Sequence, residues 1–330
     1  VNADQFPLLP TLLGKEFFTN SITIGIWAWE LSAFPARWHD RFSLVDEIWT
    51  YSTFCAAALA PVSPVPVVRI MPAVDVPPST ITMLNGKIRR NPCTFLFVYD
   101  YCSMAERKNP LAVVETFRKA FSSHEPVRLI LKCINPKMNI AYHRRLVKAA
   151  AGISCEIIDQ PFSQQEMESL LALCDVYVSL HRSEGFGLTL ARAMAFGKPV
   201  IATGYSGNTD FMTPENSFPV RYQLTDLPRT IGPYPRGAIW AEPDTEDAAR
   251  LFRTVYEHPE EASMVGARAA AHIRSLLSPR AVGIRMRDRL TKILTVPARS
   301  PERKKTPETH TAPQALRRTS PMSPPGLNVR

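Results

Sequence analysis

An α/β fold built on parallel sheets is what the sequence predicts, and three observations carry the expectation. Short apolar runs alternate with segments of helical period from residue 94 to residue 276, the pattern of repeated strand–helix–strand units. One of these runs closes on a glycine turn that opens straight into a helix, at residues 183–188. Of 330 residues, 45% are hydrophobic and 21% charged, which is ordinary for a globular chain and enough for two cores.

Taken in order, residues 21–29 read as a buried strand with Ile22, Ile24 and Ile26 inward, entering the turn Trp27-Ala28-Trp29-Glu30-Leu31. Residues 38–44 read as a helix, 46–51 as a strand, 53–59 as a short helix, and 65–71 as an extended segment. A proline-rich linker follows near Pro72–Pro78. Beyond it the expected strands are 94–99, 128–133, 155–158, 176–180 and 199–203. The expected helices are 110–120, 140–151, 164–174, one after Gly187, 245–258 and 261–276, with a terminal helix near 284–294. No internal repeat is evident. In sheets of this kind ligands bind outside the carboxyl ends of the strands.

The net charge of +9 is uneven: residues 297–330 account for +5 of it, with seven prolines and almost no large apolar residues. Such a segment cannot bury enough surface to fold and reads as disordered. It is either a solvated tail or a basic arm touching anionic lipid head groups. No apolar run reaches the 18 residues of a membrane span; the stretch from Phe54 to Val76 is broken by Pro61, Pro64, Pro66, Arg69 and Pro72. The six cysteines are scattered without Cys-x-x-Cys spacing, and no signal peptide is seen. Both point to reduced thiols in a cytoplasmic protein without a zinc site, with peripheral contact at the inner membrane face if the tail binds lipid. The chain begins at Val1, and a preceding portion is expected.

Two motifs carry the chemistry. Ser183-Glu184-Gly185-Phe186-Gly187-Leu188 closes an apolar strand and opens a helix. Amides at a helix N-terminus carry partial positive charge, and glycines let an anion approach. Glu184 then offers two acceptor oxygens to a hydroxyl-bearing group beside that anion. A sugar attached to a diphosphate meets both demands, whereas a helix cap with an incidental glutamate is the plainer reading. The second motif is Glu106-Arg107-Lys108-Asn109-Pro110, after the strand ending near Tyr99. Asn109 suits an N-cap and Pro110 a first helical position, so two cations stand at a strand's carboxyl end.

With its flanks, the run from Asp175 to Gly187 resembles the donor-site signature of retaining glycosyltransferases of family 4, which have the GT-B fold. Gly197-Lys198-Pro199-Val200-Ile201-Ala202-Thr203-Gly204, Ser206-Gly207-Asn208, Glu215-Asn216-Ser217 and Trp240-Ala241-Glu242-Pro243-Asp244 resemble the family's next segments, and similarity extends from about residue 20 to about residue 295. The resemblance implies two Rossmann-like parallel-sheet domains facing a cleft. Residues 1–78 would form a partial acceptor-side domain and linker, 79–296 the donor-binding domain with its terminal helix, and 297–330 the basic tail. About 75 residues before the linker suffice for only two or three strand–helix units, so the first domain is expected to be incomplete.

The implied activity is transfer of a hexose from a UDP- or GDP-sugar to a glycan or lipid-linked acceptor, with retention, in polysaccharide assembly. By resemblance Glu184 positions the sugar hydroxyls, Arg107 and Lys108 grip the diphosphate, and Gly185, Phe186, Gly187 and Leu188 form the turn around it. Asp159-Gln160-Pro161-Phe162-Ser163 would receive the base, and Ser206, Gly207 and Asn208 would close over the sugar. His181 either approaches the donor or packs internally. Trp27, Trp29 and Glu30 either line the acceptor side of the cleft or belong to the core. No Asp-x-Asp occurs, so no metal is expected at the diphosphate; no cofactor is expected, since no lysine motif for pyridoxal phosphate is seen; and nucleic acid is not an expected partner.

One position departs from the family. Where it has a second glutamate that holds the ribose hydroxyls, this chain has Arg192. Arginine offers five donors and no acceptor, so it contacts a phosphate or pairs with a nearby acid instead. Arg192 and the short first domain favour a rival reading, a degenerate or truncated GT-B chain that binds nucleotide or glycan, or serves as a scaffold, without transfer.

Overall fold

The structure, a computed structural model, describes residues 2–18, 21–75 and 92–295. The basic tail and the end of the proline-rich linker lie outside the described residues. A short helix α1 (Leu9–Leu13) precedes three parallel strands, β1 (Ile24–Ile26), β2 (Glu47–Thr50) and β3 (Val67–Arg69), in the order β1-β2-β3. Gly25 pairs with Ile48, and Ile48 with Val67. Helix α2 (Thr53–Leu59) follows β2, capped by the Ser52 side chain, which accepts from the Cys55 amide.

The inward phase of the first strand is opposite to the expectation. Ile22 and Ile26 are 45% and 39% exposed, while Trp27 and Trp29 are buried. Alternation lets only one set face inward, and two indoles remove far more apolar area from water than isoleucines. Gly25 makes room: a Cβ there would lie 2.8 Å from the Trp27 indole nitrogen. The segment expected as a helix over 38–44 is a 3-10 helix, Ala36–Leu44, and it packs Trp38, His39 and Phe42 against Phe34.

The larger sheet holds β4 (Cys93–Asp100), β5 (Val127–Ile134), β6 (Cys155–Ile158), β7 (Val176–Ser179), β8 (Val200–Thr203) and β9 (Phe218–Val220). All pairings are parallel, in the order β6-β5-β4-β7-β8-β9. This is the dinucleotide-binding order, in which two strand–helix halves diverge from adjacent central strands, here β4 and β7. Both faces are covered, so the strands are apolar on both sides. One face carries Phe95, Phe97, Leu129 and Val178 against Val113, Phe117 and Phe252; the other carries Leu96, Ile130 and Tyr177 against Leu190, Met194 and Ile273.

Two later elements return to the first domain. The antiparallel hairpin of β10 (Tyr222–Asp226) and β11 (Ile239–Pro243) is absent from the sequence reading, and its connection packs Leu227, Ile231 and Tyr234 into the core around Trp27 and Trp29. The terminal helix α10 (Pro279–Thr295), which comes after α5 (Ile140–Ala150), α8 (Thr245–Glu257) and α9 (Pro259–Leu277) in the chain, also crosses back. Its Arg289 forms a bidentate ion pair with Glu47 of β2, a buried carboxylate that also accepts from the Trp49 indole at 2.7 Å. Among the described residues no helix is long and apolar enough to cross a membrane.

Candidate active site at the sheet's switch point

Between β4 and the helix α4 (Pro110–Ala120) lies a one-turn helix, α3 (Ala105–Lys108), that brings Arg107 and Lys108 to the carboxyl edge of the sheet. Asn109 does not cap α4 with its side chain as expected. It ends α3 in the left-handed region, φ 57°, and Pro110 then opens α4. Glu184 follows β7, the strand beside β4, so the two motifs meet where ligand crevices form in such sheets.

Their meeting is a buried ionic cluster. Lys108 Nζ lies 2.5 Å from Glu184 Oε1, and Arg107 Nη1 lies 3.3 Å from Oε2 while donating to the Ser183 carbonyl at 2.7 Å. Arg107 is 3% exposed and Glu184 7%. Burial pushes the Glu184 carboxyl up, but Lys108, Arg107 and His181 more than offset it and hold it at about 2. Glu184 is therefore a carboxylate at neutral pH, an acceptor of hydrogen bonds and not a donor. Burial opposes the Arg107 charge too, yet Tyr234, Glu184 and Glu30 raise its pKa overall. For Lys108, burial lowers the pKa against the pull of Glu184.

The turn carrying Glu184 is gripped from both sides. Gly187 adopts φ 90° and caps α7 (Leu188–Ala195); a Cβ there would meet the Leu190 side chain at 2.8 Å. The Glu184 amide donates to Ser206 Oγ at 2.7 Å, and the Gly207 amide donates to the Glu184 carbonyl at 2.9 Å. From the first domain, Ser52 Oγ donates to the Gly185 carbonyl at 2.6 Å, with Cys55 Sγ at 3.1 Å from the same oxygen. Ser183 Oγ donates back to the Glu30 carbonyl.

Several expected contacts are placed differently. Ser206, Gly207 and Asn208 are buried behind the turn and brace it, rather than forming a flap over the cleft. A Cβ on Gly207 would sit 2.2 Å from the Gly185 carbonyl oxygen, and Ser206 holds φ 75°, a strained value for a residue with a side chain. Asn208 bonds the Thr203 carbonyl at 2.9 Å and His181 Nε2 at 3.0 Å. His181 is fully buried, its other ring nitrogen 3.0 Å from Ser179 Oγ, and burial lowers its pKa; it is packed inside the fold. Trp27 and Trp29, read as alternatives of cleft lining or core, are core: both are at most 2% exposed, and the Trp29 indole donates to the Ala33 carbonyl.

Of the remaining expected residues, Phe186 is buried against Phe211 and Leu188 is 48% exposed at the start of α7. Arg192 pairs with Glu168 at 3.4 Å on α6 (Gln164–Leu173). Pro161 is exposed, and Phe162 lies under the Lys132 ammonium at 4.6 Å. Lys132, 1% exposed, donates to the Gln160 carbonyl at 2.6 Å. Glu30 points into the cluster: Oε1 is 3.9 Å from Arg107 Nη2, and Oε2 accepts from the Tyr234 hydroxyl at 3.0 Å. Tyr234, Lys132 and Arg182, which forks onto Glu242 over the Trp240 ring, escaped the sequence reading. Lys132 carried a readable signal, a lysine inside an apolar strand; Tyr234 in its proline-flanked turn carried none. Among the described residues no cluster of His, Cys, Asp and Glu is placed to hold a metal ion.

Two parallel sheets of Rossmann-like type, the larger with a carboxylate between two cations at its switch point, give an α/β fold of the GT-B glycosyltransferase kind. Residues 103–272, more than half of the chain, match the family described as Glycosyl transferases group 1, and the chain belongs to that family. Among solved structures it is similar to Anabaena Alr3699/HepE in complex with UDP and glucose, with a TM-score of 0.61 at 14% identity over 81% of this chain and 71% of that one. Sucrose-phosphate synthase from Thermosynechococcus elongatus gives 0.64 at 16%, over 89% and 72%. The pneumococcal O-GlcNAc transferase GtfA, in complex with UDP and GlcNAc, gives 0.58 at 13%, over 82% and 52%. At these identities the likeness is one of fold. No curated protein sequence matches the chain.

Proposed function

We propose that the chain is a retaining, metal-independent glycosyltransferase of family 4 type, moving a hexose from a UDP- or GDP-sugar to a glycan or lipid-linked acceptor. The observation that carries this reading is the buried Glu184 carboxylate between Lys108 and Arg107. Breaking the sugar–phosphate bond puts negative charge on the departing diphosphate and positive character on the anomeric carbon. Arg107, Lys108 and the amides of Phe186, Gly187 and Leu188 stabilise the first, in a site where burial strengthens their field. Glu184 accepts from the sugar hydroxyls, and the acceptor attacks from the leaving-group face. The donor domain is 79–296, residues 1–78 are a partial acceptor-side domain and linker, and the chain acts in the cytoplasm.

The Arg192–Glu168 pair favours a second reading, a GT-B chain that binds nucleotide or glycan without transfer, because no acceptor group stands at position 192 itself. Calorimetric titration of UDP- and GDP-sugars into wild type and Lys108→Ala separates the two. Micromolar binding of one donor, weakened about tenfold or more in the variant, followed by product with the donor's anomeric configuration by NMR, supports transfer. Binding without any turnover supports the second reading, and no binding of any donor overturns both the proposed activity and its donor class.

A further inference from the structure

We infer that Tyr234 is a positioning residue of this site, acting through Glu30 on Arg107. The inference rests on the glycosyltransferase reading above and adds a residue from outside both sequence motifs.

Tyr234 reaches the site by a long route. It sits in the β10–β11 connection, where Ile231 and Tyr234 exchange two backbone hydrogen bonds of 2.9 Å and so form a tight turn. The turn packs into the first domain's core: the Tyr234 ring lies 5.5 Å from Trp29, and Arg37 donates to the Pro233 carbonyl at 2.7 Å. Tyr234 is 2% exposed, its hydroxyl donates to Glu30 Oε2 at 3.0 Å, and it lies within the field of Arg107. A hydroxyl donating to a carboxylate in such a place is charge-assisted and fixes the carboxylate's rotation.

Glu30 is thereby held at two points. Its main-chain carbonyl accepts from Ser183, the residue before Glu184, and its side chain is held by Tyr234. The second oxygen is left facing Arg107 Nη2. The guanidinium then stands between two carboxylates, Glu184 at Nη1 and Glu30 at Nη2, and its Nε has no hydrogen-bond partner. With nothing tying Nε, the guanidinium is set at Nη1 by Glu184 and the Ser183 carbonyl, 2.7 Å away, and its Nη2 end is left to Glu30. Removing the Tyr234 hydroxyl frees Glu30 to rotate and Arg107 to tilt, which weakens stabilisation of charge that develops only as the donor bond breaks. A loss of that kind lowers kcat more than it raises KM.

The test uses Tyr234→Phe, which keeps the ring against Trp29, with Glu30→Ala and the double variant. Each is assayed for release of nucleoside diphosphate from the donor sugar that wild type binds. The expected result is a kcat about tenfold lower in Tyr234→Phe, with donor KM within about twofold. In the Glu30→Ala background the same substitution should change kcat less than about twofold, because its partner is gone. Wild-type kcat in Tyr234→Phe, or an equal effect with and without Glu30, overturns the inference while leaving the glycosyltransferase reading intact. So does a fall in melting temperature with lost donor binding, which would make the hydroxyl purely structural. A wild type that neither binds nor turns over any donor overturns both.

Discussion

Lys108 and Glu184 are the residues on which the proposed chemistry turns, and each has a distinct signature. Lys108→Ala should weaken donor binding by about tenfold or more by calorimetry, the scale of one lost charge-assisted hydrogen bond. Glu184→Gln keeps the size and one acceptor oxygen but leaves two buried cations facing a neutral group. Its turnover should fall by about two orders of magnitude, comparable to removing one preorganised electrostatic group from other active sites, with donor binding changed less. Gly207→Ala tests the brace behind the turn instead of the charge. A methyl there would lie 2.2 Å from the Gly185 carbonyl oxygen, so the backbone must move, and a loss of about 2 kcal/mol in urea denaturation is expected. These roles were partly legible in the sequence, since Glu184, Gly187, Arg107 and Lys108 sit in contiguous motifs whose local chemistry announces an anion. The brace was not, because Ser206, Gly207 and Asn208 belong to a different loop and their inward aim depends on packing.

At the scale of elements, the crossing helix α10 and the hairpin connection tie the larger sheet's half of the molecule to the first three strands. Arg289 is the point of attachment for α10, and its partner Glu47 is 4% exposed. Arg289→Met should leave that carboxylate, among the described residues, with the Trp49 indole as its donor. A loss of about 2 kcal/mol is expected, tempered by the partial exposure of the pair, and it should appear as earlier proteolytic cleavage in residues 21–75 than in 92–277. Helix and strand identities around the larger sheet follow the sequence closely as far as β8, where Pro110–Ala120 and Cys155–Ile158 match residue for residue, but β9 and the β10–β11 hairpin do not show in it. Continuous apolar runs and strong caps, such as the Ser163–Glu166 capping box, make such elements locally determined. The first strand reads less well, because an alternating apolar run specifies a period but not which phase faces in.

For the whole molecule, the buried cluster makes stability depend on acid. Glu184 has a folded pKa of about 2, below the ordinary carboxyl range, so its contribution is fully present above about pH 4.5 and is lost as pH falls towards 2, on the order of 3 kcal/mol. His181, whose pKa burial lowers, acts in the same direction: the unfolded chain gains a proton below about pH 6.5 that the folded chain resists. Denaturation midpoints measured from pH 7 to pH 2.5 should therefore fall steadily. Glu184→Gln should flatten the part below pH 4.5 while leaving the part near pH 6. An unchanged acid limb in that variant would place the acid-labile group elsewhere.

Read alone, the sequence determined the fold class, the strand–helix alternation around the larger sheet, and the two motifs that meet at its switch point. Those features are encoded in runs of neighbouring residues, where period, caps and glycine conformations act within one turn or one strand. Tertiary structure alone decided that Trp27 and Trp29 are core, that Arg192 is paired with Glu168, and that Tyr234 holds Glu30 across 204 positions of chain. Contacts across such separations leave no local signal, because they depend on where two sheets and a hairpin come to rest, and that follows from burying surface and charge over the molecule together.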